Sequence, residues 1–93
     1  MNVNNNKNKI IKKILYQRLK RDFSADVYIV SIYIHNPFLN VRRTDNAGIN
    51  LQVNSDAMEI VWWVRGDYPH RQKLHLRDDN YYEKLLKIIE ESK

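Results

Sequence analysis

The stretch INLQVNSDAMEIVWWVR, residues 49–65, decides the fold. Ile49, Leu51 and Val53 alternate with Asn50, Gln52 and Asn54. A period of two puts the apolar set on one face of a strand and the amides on the other. Ser55-Asp56 supplies turn chemistry. The returning segment carries Met58, Ile60, Trp62 and Val64 on one side and Glu59, Val61, Trp63 and Arg65 on the other. Two alternating segments joined by a short turn predict an antiparallel hairpin with one face buried. Asn50, Gln52, Glu59, Val61, Trp63 and Arg65 then belong to the opposite face, open to solvent or to a partner.

Working upstream, residues 27–35 are rich in β-branched and aromatic side chains and read as a strand. Tyr28, Val30, Ile32 and Ile34 share one face; Val27, Ile29, Ser31, Tyr33 and His35 share the other. Both faces are largely apolar, which predicts a central position in the sheet. Asn36-Pro37 signals a turn, residues 38–43 suit a second strand, and residues 44–48 form a loop. Downstream, residues 66–70 are a loop and residues 71–77 a short last strand with Gln72, Leu74 and Leu76 inward.

The ends of the chain change period. In residues 7–21, Ile10, Ile11, Ile14, Leu15 and Leu19 gather on one side of a 3.6-residue wheel, and Phe23 extends the stripe. Lys9, Lys13, Tyr16 and Lys20 fall opposite, with Lys12 flanking. Arg18 sits within the apolar stripe and needs a partner or a way past it. Asp78-Asp79-Asn80 opens a second helix to about residue 91, buried through Tyr81, Leu85, Ile88 and Ile89, and Asn80 with Glu83 has the spacing of a capping box. Helices at both ends of a sheet bury best on one of its faces. The expected fold is therefore α+β: an N-terminal helix, a three- to four-stranded antiparallel sheet and a C-terminal helix, both helices on one sheet face. Residues 1–6 are expected to be a disordered tail, and residues 7–93 a single domain.

Composition narrows the function. The 93 residues contain no cysteine, which excludes disulfides and thiolate metal sites. No apolar run approaches the ~20 residues a membrane helix needs. The opening MNVNNNKNK lacks the apolar middle of a secretory signal, so a cytoplasmic location is expected. Asn, Lys, Ile and Tyr make up more than a third of the chain. Their codons are AT-rich, which fits a small accessory protein of a phage or mobile element.

Charge is unevenly distributed. Residues 1–43 hold nine Lys or Arg against two Asp, a net of +7; residues 44–93 hold seven basic against nine acidic residues, a net of −2. A basic lobe on a small domain is the footprint of a polyanion, most often nucleic acid. Lys9, Lys12, Lys13, Lys20 and Arg21, with Tyr16, form the first candidate group. Arg42 and Arg43 form the second, although neighbours on a strand point to opposite faces. Arg65, His70, Arg71, Lys73 and Arg77 form the third, around the loop after the Trp strand. Trp63, expected outward next to Arg65, suits stacking on an unpaired base. Convergence of these groups would make a groove.

Catalysis is not expected. His35, His70 and His75 lack the spacing of a metal site, and no cofactor is implied. A metal-independent ribonuclease built from His70 or His75 with Arg71 and Lys73 remains an alternative. The helix–strands–helix order resembles the double-stranded-RNA-binding domain in topology. That family meets duplex RNA through a Lys-rich start to its second helix, where this chain has the acidic Asp78-Asp79-Asn80. The expectation is thus RNA or another single-stranded nucleic acid, bound without cleavage by a monomer or homodimer away from membranes. Such a factor would regulate or inhibit an RNA-dependent host defence enzyme. The second alternative is an inhibitor that docks directly on a host protein, with Trp63, Tyr33 and Phe38 as anchors.

Overall fold

The computed structural model describes residues 3–23, 29–35, 37–45 and 47–92. The expected helix break at Ser24–Asp26, the strand start at Val27 and Tyr28, and the turn residue Asn36 lie outside them. The elements run α1 (Val3–Asp22), β1 (Ile29–His35), β2 (Phe38–Arg43), β3 (Gly48–Asn54), β4 (Glu59–Val64), β5 (Gln72–His75) and α2 (Tyr81–Glu91). The five strands form one antiparallel sheet in sequence order, and both helices contribute to a single core with one face of it. No helix among the described residues is long and apolar enough to cross a membrane.

The hairpin that decides the fold forms as its alternation requires. Ile49 pairs with Val64, Leu51 with Trp62 and Val53 with Ile60 on the helix-covered face. Asn50 pairs with Trp63 and Gln52 with Val61 on the other. Leu15, Leu19, Leu39, Ile49, Leu51, Ile60, Leu85 and Ile89 are fully buried at the centre. Each such Leu or Ile adds about 1.5–3 kcal/mol of apolar burial.

Three expectations are corrected. The sheet has five strands, because both residues 38–43 and the short β5 join it. The apolar strand β1 lies at the edge rather than the centre. Helix α1 runs from Val3. Its buried stripe is also narrower than the apolar one. Ile11, Leu15, Leu19 and Phe23 pack inward, while Ile10 and Ile14 stay exposed. Neighbouring layers meet only one side of the helix, so a stripe spanning more than about 100° leaves part of itself uncovered. Lys12 instead turns inward, donating its ammonium to the Pro37 carbonyl at 3.4 Å.

The two helices are joined by polar contacts that the wheel left unresolved. The Arg18 guanidinium lies 3.7 Å from the centroid of the Tyr82 ring, and this contact is its way out of the apolar stripe. The Tyr82 hydroxyl donates to Asp22 Oδ2 at 2.6 Å. At the start of α2, Asn80 makes no side-chain cap, so the capping box does not form. Asp78 pairs with Lys84 instead, at 3.0 Å.

Candidate nucleic-acid interface

Strand register assigns each candidate side chain to a face. On the face away from the helices, Tyr33 sits opposite Asn40, Asn40 opposite Asn50, and Asn50 opposite Trp63. The next rows carry His35 with Phe38, Gln52 with Val61 and Lys73, and Arg42 with Gly48. Glu59 and His75 share the row beyond. Glu59 is the single carboxylate in all five strands. It is buried, and Lys73 Nζ approaches it at 3.6 Å.

Trp63 does face this side, but it is 4% exposed and offers no stacking platform. Phe38 and Tyr68 meet it edge-on, with ring centroids 5.4 and 5.1 Å away. An indole on an open sheet face buries its large apolar area against whatever aromatic neighbours can reach it. The loop after β4 therefore folds back over the sheet. Tyr68 is left 54% exposed, with the Arg71 guanidinium 4.3 Å from its ring centroid. Tyr33, 44% exposed, is the second accessible ring. Both tyrosines were absent from the expected nucleic-acid set. Tyr33's outward alternation was a usable signal for it; nothing local distinguishes Tyr68, whose place depends on the loop's path.

The arginine pair divides as strand alternation demands. Arg42 points to the open face and is exposed. Arg43 points to the helix side. Its Nη1 donates to the carbonyls of Ile89, at 3.2 Å, of Glu90, and of Ser92, at 3.2 Å. Its Nη2 pairs with Asp45 at 3.2 Å. These are the orphan carbonyls of the α2 C-terminus, where a cation also opposes the helix dipole. Arg43 is thus a structural clamp and leaves the phosphate-binding set.

The lysine face of α1 lies on the helix layer, across the core from Arg42 and Lys73. Lys9, Lys13 and Lys20 are exposed there, with Tyr16 half-buried and Lys20 Nζ 5.9 Å from the Tyr16 ring centroid. Lys12 is withdrawn from this group; burial, and then repulsion from Lys9, lower its pKa. Arg21 pairs with Asp22 at 3.0 Å. The cations divide into a sheet-face group and a helix-face group. Arg65 and Arg77 are exposed in the turns that follow β4 and β5.

His70 donates from Nδ1 to Asp67 Oδ1 of the same loop, at 2.6 Å. That hydrogen bond, reinforced by the carboxylate's charge, raises the imidazole pKa and favours the cation. Among the described residues no group of three or more His, Asp or Glu could hold a metal. A recess of about 370 Å³ between β4 and the end of α2 is lined by Trp62, Val64, Ile88, Glu91 and Ser92, with no cation and no imidazole among them. No protein family matches the chain, and no curated protein or solved structure matches it either.

Proposed function

We propose that this protein binds single-stranded RNA, without cleaving it, on the face of the sheet that the helices leave open. The observation that carries the reading is the charge of that face. Its strands hold one carboxylate, already engaged by Lys73, while Arg42 and Lys73 lie on the same face, Tyr33 is exposed on β1, and Arg71 lies over the exposed ring of Tyr68. Rings give every base a stacking surface, and neighbouring cations follow the phosphates. As a small accessory factor of phage type, the protein would act by occupying RNA that a host enzyme needs.

Anisotropy titration of a labelled single-stranded oligonucleotide against its duplex tests this. The expected result is preference for the single strand and a log–log salt slope of roughly −2 to −3, about −0.7 for each of three or four phosphate contacts. Tyr33→Ala is expected to lose about 1–3 kcal/mol of affinity. No binding in dilute buffer would end the proposal. A second reading, docking on a host protein, is favoured by one observation: the exposed Ile10 and Ile14 stand one turn apart on α1 among Lys7, Lys13 and Arg21. Phosphate has no use for those side chains, whereas an acidic protein surface with an apolar centre does.

A further inference from the structure

Strand β1 has the composition of a central strand and the position of an edge. Its seven residues, IVSIYIH, include no Lys, Arg, Asp, Glu or Pro. The other edge is built differently: β5 is four residues long and carries Lys73. Short length and lysine are the ordinary protections of a sheet edge, and β1 lacks both. One bulge interrupts its ladder, between Ile29 and Ser31, and residues 31–35 then pair with β2 in unbroken register. Ile34 belongs to the helix-covered face, opposite the fully buried Leu39, yet is 38% exposed. Among the described residues no strand lies beyond it.

We propose that two copies of this chain pair antiparallel through β1, joining their sheets into one of ten strands across a two-fold axis. An antiparallel strand is complementary to itself about such an axis. Centred on the regular stretch, the pairing sets Ile34 of each copy against Ile32 of the other, and the two Tyr33 residues against each other on the open face. A chain of net charge +5 repels its own copy, and an edge without charged side chains is where that repulsion is least. A second copy also satisfies the outward backbone donors and acceptors that an edge leaves unpaired. The two open faces become one continuous surface; its use for a longer RNA rests on the reading above, but the dimer itself does not.

Analytical ultracentrifugation of the whole chain without nucleic acid, from micromolar to submillimolar concentration, tests the pairing. The mass is expected to move from 11.2 kDa toward twice that value as concentration rises. Ile34→Lys places a charge on the edge at a half-open site and is expected to weaken dimerisation by about tenfold or more, with an unchanged far-UV spectrum. Should that variant misfold, amide exchange on the unmodified protein decides: β1 amides are expected to slow with increasing concentration while β5 amides do not. A monomer at every concentration overturns the proposal. So does a dimer that Ile34→Lys leaves intact, or one whose β1 amides exchange independently of concentration.

Discussion

Arg42 and Arg43 are adjacent in sequence, and replacing each by alanine is expected to break a different property. Arg43 donates to three carbonyls at the end of α2 and is only 15% exposed. A hydrogen bond to a charged group contributes about 1.5–3 kcal/mol. Three such bonds do not add, because carbonyls at a helix end regain water once the guanidinium is gone. Counting them as about one, with about 0.3–1 kcal/mol from the helix dipole, Arg43→Ala is expected to cost about 2–4 kcal/mol. The half-exposed Asp45 partner adds little. For a domain of this size the loss lowers Tm by roughly 10–30 °C. Arg42→Ala removes an exposed side chain and is expected to stay within about 0.5 kcal/mol of the parent. RNA binding should respond in reverse. Arg42→Ala flattens the salt slope by about 0.7, whereas folded Arg43→Ala binds as the parent does. Urea denaturation followed by circular dichroism, paired with anisotropy at several salt concentrations, reads both quantities. If the two variants lose the same affinity and Arg43→Ala keeps its stability, the division of roles by strand face is wrong.

Three further outcomes are expected. Gly48 has φ +136°, and a Cβ there would lie 2.0 Å from the Val41 carbonyl oxygen. Gly48→Ala should therefore cost about 3 kcal/mol or more, read by urea midpoint, and a parent-like midpoint would contradict the close β2–β3 approach. Tyr82→Phe removes the donor that, more than Arg21, holds the Asp22 carboxyl below its ordinary pKa. A depressed carboxyl contributes stability above its unfolded pKa and loses it as pH falls through the folded value. The gap between parent and Tyr82→Phe should accordingly be constant from pH 5 upward and narrow below about pH 4; a gap that widens in acid would count against the contact. Tyr68→Ala uncovers Trp63, and its tryptophan emission should shift to the red and become accessible to a neutral quencher, while unchanged emission would show that the loop does not cover the ring.

Much of the fold was legible because the relevant signals are local. The Ile49-Leu51-Val53 alternation set the hairpin and its faces, and the change to a 3.6-residue period set both helices. The position of β1 was misread. Two apolar faces are the mark of a central strand, but a monomer's sequence does not record which neighbour supplies the cover. The site was legible as charge and not as place. Nothing local separates Lys12, folded inward to a carbonyl, from Lys13, left in solvent. Nor does local sequence separate Trp63 as an exposed ring from Trp63 beneath Tyr68.

The sequence by itself determined the class of fold, the face each strand residue takes, the excess of cations in the first half and the absence of thiol chemistry. Periodicity and composition depend only on neighbours along the chain. Tertiary structure alone decided that the cations divide between two sides of the sheet, that Arg43 closes the end of α2, and that Tyr33 and Tyr68 are left exposed while Trp63 is covered. Each of these is a contact between residues distant in sequence, and its energy exists only once the intervening chain has closed.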